Sequence, residues 1–178
     1  MKLVFILLLL TILSISLCAC SLQKIQDYKD QKPELKLEEF FSGKVNGTAS
    51  FFDWAGRVKT RFQIALNGDW DGQILTLNEL ITYSTGVKES RIWKIKKLTD
   101  STYEGETTDV IGKAIIKISG NAAQWNYIFN VKVDDSTYAL KFDDWMYLQE
   151  DGFLLNRAKA RKFGIKVGEL FIAMKKES

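Results

Sequence analysis

From residue 44 onward, apolar and polar residues alternate in short segments, and turn-forming residues separate one segment from the next. The stretch 124–133 shows the pattern most clearly, because every second position holds an apolar residue: Trp125, Tyr127, Phe129, Val131 and Val133. A period of two places such side chains on one face of a β-strand and the polar ones on the other face. Repetition at intervals of roughly ten residues predicts many short antiparallel strands.

The pattern predicts nine or ten strands, at 45–53, 57–66, 69–83, 88–98, 102–107, 113–119, 124–133, 137–149, 153–163 and 167–175. Asn67-Gly68 is typical of a two-residue hairpin turn, and Glu150-Asp151-Gly152 of a three-residue loop with a left-handed glycine. A long meander leaves two open edges unless it closes on itself. The predicted fold is therefore all-β, an antiparallel up-and-down barrel of eight to ten strands. A two-sheet sandwich is the alternative, but it requires more crossing connections.

A short helical segment precedes the first strand. Leu37, Phe40 and Phe41 follow the i, i+3, i+4 spacing that gives a helix one apolar face. Gly43 is a suitable residue for ending the helix. We predict one or two helical turns here, placed so that they plug one end of the barrel.

The N-terminus resembles an export signal. Met1-Lys2 is followed by an apolar run to Leu17, which is shorter than the ~20 residues that a membrane-spanning helix requires. Within Leu17-Cys18-Ala19-Cys20, only Cys20 has a small residue just before it and a large apolar one three positions earlier. We predict that residues 1–19 are a signal helix and that Cys20 becomes lipid-modified. An ordinary secretory signal is the alternative.

The signal defines the predicted domain organisation. Residues 20–34 are polar and are predicted to be the lipidated cysteine and a flexible tether, while 35–178 form a single β-barrel domain. Acyl chains would hold the exported protein on a membrane. Aspartate after the lipidated cysteine favours retention in the inner membrane. Because this position is Ser21, we expect the protein on the periplasmic face of the outer membrane. The sequence does not predict an oligomeric state.

Composition excludes several classes of chemistry. The chain has two cysteines, Cys18 and Cys20, and no histidine, so thiolate or histidine metal sites and Ser-His-Asp catalysis are not expected. No metal or cofactor is predicted. Basic and acidic residues are nearly balanced, with a net charge of +3, which does not indicate the basic stripe of a nucleic-acid-binding protein. We therefore expect a non-enzymatic protein that does not bind nucleic acid.

The predicted loop at 150–152 fixes a strand register and with it a candidate site. Met146 then faces Asn156 and Asp144 faces Ala158, so that Asp144 and Asn156 lie inside the barrel. They can form a polar network within a filled core, or a polar anchor in a ligand cavity. The candidate ligand-binding residues are Asp144, Asn156, Tyr127, Trp125 and Met146.

Two charged groups on these strands have further interpretations. Asp143 and Asp144 are adjacent, so they point to opposite faces of a strand and cannot act together on one substrate. Arg157, Lys159 and Arg161 form an alternating basic row. This row is either a solvated strand face or a surface that contacts anionic lipid head groups.

Several stretches resemble a known family. They are 68–72, 109–112, 120–122, 125–127, 143–148, 156–157 and 162–164, of which Asp-Asp-Trp-Met-Tyr-Leu at 143–148 is the most distinctive. Together they resemble an uncharacterised lipoprotein family of Gram-negative bacteria that is catalogued as a domain of unknown function. That family is lipocalin-like, or calycin-like. The resemblance implies a barrel and favours a lipidic ligand, and it implies no catalytic residues.

Three functions remain open at this point. The first is a membrane-tethered barrel that binds a lipidic or other small apolar ligand. The second is a structural or accessory lipoprotein with a filled core, which acts through surface contacts. The third is an enzyme acting on lipid or glycan. Cavity volume distinguishes the first two, because a barrel of this size can be packed or hollow.

Overall fold

The computed structural model describes residues 23–133 and 135–177, which form a closed antiparallel barrel of ten strands. Each strand pairs with the next along the chain, and the first pairs with the last. The strands are β1 (Gly43–Asp53), β2 (Val58–Trp70), β3 (Ile74–Tyr83), β4 (Lys88–Thr99), β5 (Thr102–Glu106), β6 (Val110–Ser119), β7 (Ala122–Val133), β8 (Ser136–Leu148), β9 (Phe153–Lys162) and β10 (Ile165–Lys176).

The predicted all-β up-and-down barrel is confirmed, and the sandwich is excluded because β1 and β10 close the sheet. The loop at 150–152 is confirmed as well. Gly152 has a φ of 80°, its amide donates to the Gln149 carbonyl, and Leu148 faces Leu154 as expected. The signal helix and Cys20 lie outside the described residues.

The predicted hairpin turn at Asn67-Gly68 is wrong. β2 continues through both residues to Trp70, and the chain turns only at Asp71. The Asp71 carboxylate accepts hydrogen bonds from the amides of Gln73 and Ile74, which fixes that turn. The predicted strand at 69–83 is therefore split into the end of β2 and the whole of β3.

Gly68 has another role, because it lets the chain before β1 cross closely over β2. A Cβ atom at this position would lie 1.9 Å from the Phe41 carbonyl oxygen. Phe41 ends the helix α1 (Leu37–Phe41), whose Leu37, Phe40 and Phe41 side chains are all buried. The prediction that this segment plugs one end of the barrel is thus confirmed. We call this the closed end.

A polar contact fixes the plug from outside the apolar core. Glu38 of α1 accepts hydrogen bonds from Lys97 Nζ and Tyr103 Oη, each at 2.6 Å. Burial raises the pKa of Glu38, but these two hydrogen bonds, a backbone hydrogen bond and the charge of Lys97 together outweigh it, and the pKa is lowered overall. The carboxylate therefore stabilises the closed end while it is ionised.

Replacing Glu38 by alanine is expected to lower the free energy of unfolding by about 2 kcal/mol at neutral pH, because it removes both charge-assisted hydrogen bonds and leaves Lys97 without its nearest partner. Since the pKa of Glu38 is lowered in the folded state, this stabilisation is present above the unfolded pKa and is lost as the pH falls through the folded one.

Urea unfolding at several pH values measures this effect. Glu39→Ala is the matched control, because the Glu39 carboxylate pairs with exposed Lys36 and should contribute little. Equal losses in the two variants, or a Glu38→Ala loss that persists in acid, would contradict the role assigned to Glu38.

The segment 23–34 was predicted to be a flexible tether, but it packs on the barrel. A 3-10 helix at Ile25–Tyr28 covers the outer face of β7 and β8, where Ile25 and Trp145 are buried together. Gly120 allows this approach, because a Cβ there would lie 1.9 Å from the Tyr28 carbonyl oxygen. The apolar side chains that this segment buries hold it on the barrel, although most of its residues are polar. The segment therefore covers the outside of the closed end.

Within residues 23–133 and 135–177, no helix is long and apolar enough to cross a membrane.

Candidate functional site

A cavity of about 230 Å³ lies inside the barrel, above the plug. Phe41 of α1 forms its floor. Its wall extends to Tyr83, the last residue of β3, and to Val131, near the end of β7, both at the barrel end opposite the plug. The wall is mostly apolar and aromatic. Trp93 packs edge-on against Trp125 and Tyr127, with ring centroids 5.8 and 6.0 Å apart. The barrel is thus filled at its closed end and hollow in the middle.

The five candidate ligand-binding residues, which are Trp125, Tyr127, Asp144, Met146 and Asn156, all line this cavity. They lie on β7, β8 and β9, which are neighbours in the barrel. The predicted register is confirmed, since Met146 faces Asn156 and Asp144 faces Ala158. Their contact with a ligand remains a prediction.

Asp144 is the centre of a buried hydrogen-bond network. Asn156 Nδ2 donates to one carboxylate oxygen of Asp144, and Tyr127 Oη donates to the other at 3.2 Å. Asn156 Nδ2 also donates to the Trp145 carbonyl. Asp144 and Asn156 are only 5% and 3% exposed, so the network is held in an environment of low dielectric constant.

Burial dominates the acid–base properties of this network. Desolvation raises the pKa of Asp144 to about 7, although the hydrogen bonds from Asn156 and Tyr127 lower it and the charge of Asp143 raises it further. Burial and the neighbouring Asp144 carboxylate likewise raise the pKa of Tyr127 well above its ordinary value. At neutral pH Asp144 therefore exchanges between a hydrogen-bond acceptor and a neutral acid that can also donate.

Four side-chain polar atoms of the cavity wall have no hydrogen-bond partner among the described residues. Two of them, Glu79 Oε2 and Arg91 Nε, lie 3.5 Å apart in an ion pair. The other two are Trp125 Nε1, which can only donate, and Asn156 Oδ1, which can only accept. An unpaired buried polar atom costs about 1–3 kcal/mol. Trp125 Nε1 and Asn156 Oδ1 thus leave one donor and one acceptor unsatisfied within uncharged residues that line the cavity.

A second polar pair in the cavity was not predicted. Glu79 and Arg91 face each other on β3 and β4, with 3.5 Å between Oε2 and Nε. The Arg91 guanidinium lies 4.9 Å from the Phe129 ring centroid. Burial raises the pKa of Glu79, and the charge of Arg91 partly offsets this. With the turn at Asp71, the alternation within 75–83 places Glu79 on the apolar face of β3.

The basic row and the adjacent aspartates lie where strand alternation predicted. Arg157, Lys159 and Arg161 are on the outer face of β9, and Arg157 donates to Glu169 at 2.9 Å. Their contact with lipid head groups remains a prediction. Asp143 also points outward and accepts hydrogen bonds from Gln124 and Trp145, whereas Asp144 points into the cavity.

No group of three or more potential metal-ligating side chains occurs in the part of the chain that the structure describes. A family model described as "Protein of unknown function (DUF3833)" matches residues 14–176, nearly the whole chain. The chain belongs to this family. The resemblance to a family of unknown function is thereby confirmed, and the ten-stranded barrel is consistent with its lipocalin-like character. No curated protein matches the DUF3833 chain closely enough to count as a relative.

Proposed function

We propose that this DUF3833 protein is an outer-membrane-anchored lipoprotein whose barrel binds a lipidic or other apolar ligand. The internal cavity supports this proposal, because its apolar wall holds a buried polar network at one side. Ligand sites are typically apolar with a few placed polar groups. A barrel that served only as a scaffold would gain stability by filling this space with side chains.

The cavity limits the size of the ligand. Its volume of about 230 Å³ is slightly below the ~300–1,000 Å³ that sites for drug-sized ligands usually have. A single short acyl or alkyl chain is small enough for this space. We assign the polar end of such a chain to the side of the wall that holds Trp125 and Asn156, each of which has an unpaired polar atom.

The sequence supports the anchoring part of the proposal. An apolar leader that ends in Leu17-Cys18-Ala19-Cys20 is the pattern of a lipoprotein signal, and Ser21 favours the outer membrane. Two or more acyl chains on Cys20 suffice for stable membrane attachment. The protein would then present its barrel to the periplasm, next to a source of lipidic ligands.

A second candidate function is acid–base chemistry on a bound molecule. Two carboxyl groups with raised pKa values, Glu79 and Asp144, face one cavity, which is a recognised feature of active sites. We favour binding because both Asp144 oxygens already accept protein hydrogen bonds and Glu79 is paired with Arg91. Turnover of an acyl ester by the purified protein, abolished by Asp144→Asn, would favour the enzyme.

Fluorescence titration with an environment-sensitive fatty acid tests the binding function. The wild-type protein is expected to bind the probe, and Ile64→Phe is expected to weaken binding by about ten-fold or more, since the larger side chain occupies the cavity that the probe needs. Ile92→Phe is the matched control, because Ile92 is exposed on the outer face of β4. Equal binding by all three proteins would place the probe outside the barrel and contradict the proposal.

A further inference from the structure

The barrel end opposite the plug carries the five hairpin links between β1 and β2, β3 and β4, β5 and β6, β7 and β8, and β9 and β10. Three of these links are neighbours around the barrel, because β1 pairs with β10 and β2 pairs with β3. They are 54–57, 84–87 and 163–164. We call this set of three the apolar edge.

The tips of the apolar edge expose large hydrophobic side chains. Trp54 is 70% exposed and Val87 is 56% exposed. Phe163 and Ile165, at the third hairpin, are 92% and 72% exposed. Surface apolar residues scattered singly need no explanation, but a group of them on adjacent tips marks an interaction site.

Phe163 is also unfavourable for the turn that holds it. Its φ is 50°, and Gly164 follows with a φ of 81°. The first position of such a turn favours asparagine, aspartate or glycine, because a bulky side chain is strained at positive φ. A fully exposed phenylalanine contributes no core packing that would offset this cost. Neither folding nor solubility therefore accounts for Phe163.

Basic residues flank these tips. The segments 53–61, 83–89 and 161–166 contain seven lysines and arginines and two acidic residues. Lys162 lies 4.1 Å from the Tyr138 ring centroid, next to Phe163. The other two hairpins differ, since Asp109 and Asp135 lie at their turns. Basic residues thus outnumber acidic ones on this side of the open end, whereas aspartates lie at the turns of the other two hairpins, which also expose Val133 and Ile111.

We propose that the apolar edge docks on an anionic phospholipid bilayer, with Trp54, Val87 and Phe163 inserted at the interface. Exposed aromatic and aliphatic tips enter the boundary between head groups and acyl chains, and flanking lysines and arginines pair with anionic head groups. Arg161, the last member of the basic row on β9, lies on this edge. The cavity wall reaches Tyr83, which ends β3 beside the 84–87 tip, so docking brings the cavity close to the bilayer.

The position of the N-terminal segment indicates which end of the barrel lies next to the anchoring bilayer. The Gln23 side-chain amide donates a hydrogen bond to Tyr147 Oη near the closed end. The backbone amide of Leu35 donates one to the Gly120 carbonyl at the same end. Three residue steps from Gln23 to Cys20 span at most about 11 Å. If Cys20 carries the anchor, as proposed above, the closed end lies next to the anchoring bilayer. The apolar edge then faces away from it, toward a second membrane surface.

Vesicle sedimentation tests the docking edge without the anchor. Residues 23–177 supply all ten strands and the plug, so a chain beginning at Ser21 keeps the barrel complete. It is expected to sediment with phosphatidylcholine vesicles that contain phosphatidylglycerol, and much less with phosphatidylcholine alone or at high salt. Phe163→Asn combined with Trp54→Ser is expected to weaken this binding by about ten-fold or more.

Phe163→Asn suits this test because asparagine tolerates positive φ, so the variant should fold at least as well as the wild type. Phe153→Asn, the same change at a hairpin of the closed end, is the matched control and should bind vesicles normally. Absence of wild-type binding to either vesicle, or equal binding by the double variant, would overturn the proposal and leave a protein partner for these tips. Fatty-acid titration of the same variants is independent of docking, so failure of one proposal does not imply failure of the other.

Discussion

Replacing Gly68 by alanine is expected to lower the free energy of unfolding by about 3 kcal/mol, because the new Cβ would lie 1.9 Å from the Phe41 carbonyl oxygen. The nearest obstacle is backbone, which cannot rotate away as a side chain can. Either β2 or the end of α1 must move, and Phe41 is the floor of the cavity. We therefore expect the variant to lose ligand affinity together with stability.

Gly105→Ala is the matched control for this prediction. Gly105 also lies in a buried strand, but a Cβ there would meet its nearest neighbour, Ala114 Cβ, at an ordinary 3.5 Å. We expect a change within about 1 kcal/mol, since alanine also restricts the unfolded chain. Chemical denaturation of both variants measures the difference. Similar stabilities would show that the chain before β1 does not depend on close contact with β2.

The second large effect is the pH dependence caused by Asp144. Its pKa is about 7 in the folded protein, against 3.8 as the ordinary value, so the folded state binds a proton more tightly than the unfolded state does. Stability from this group is complete below the unfolded pKa and is lost as the pH rises through the folded one. A difference of this size corresponds to roughly 4 kcal/mol.

Asp144→Asn is expected to remove this dependence, because the amide stays neutral and can still bond Asn156 and Tyr127. The variant should match the wild type near pH 4 and be more stable by about 4 kcal/mol near pH 8. Urea denaturation across this pH range measures the gap. A gap that stays constant with pH would show that Asp144 is not desolvated as the structure indicates.

Much of the fold could be predicted because single strands carry their own signal. Alternation in 124–133 placed β7 correctly, and the Gly152 loop fixed the β8–β9 register to the residue. From that register alone, Asp144 and Asn156 were placed inside the barrel and Asp143 outside. Closure followed from short links and the need to pair both edges.

The errors have a common physical cause, which is contact between segments distant in sequence. Asn67-Gly68 has the composition of a turn, but Gly68 is used for the close approach of Phe41. Residues 23–34 have the composition of a tether, but Ile25 and Tyr28 cover Trp145. A turn at Asn67-Gly68 puts 69–83 in one strand, which hides the alternation of β3 and with it the Glu79–Arg91 pair. The residue pattern within a single segment does not indicate such tertiary contacts.

Extraction of the bound molecule tests whether the barrel holds an apolar ligand. The full chain would be purified from its own host under mild conditions, alongside a chain beginning at Ser21 and its Ile64→Phe variant. Each would be denatured and its organic extract analysed by mass spectrometry. We expect one stoichiometric apolar species from both wild-type forms and none from Ile64→Phe. Empty wild-type extracts, with a thermal stability that added lipids do not change, would contradict ligand binding and favour a barrel that acts through its surface.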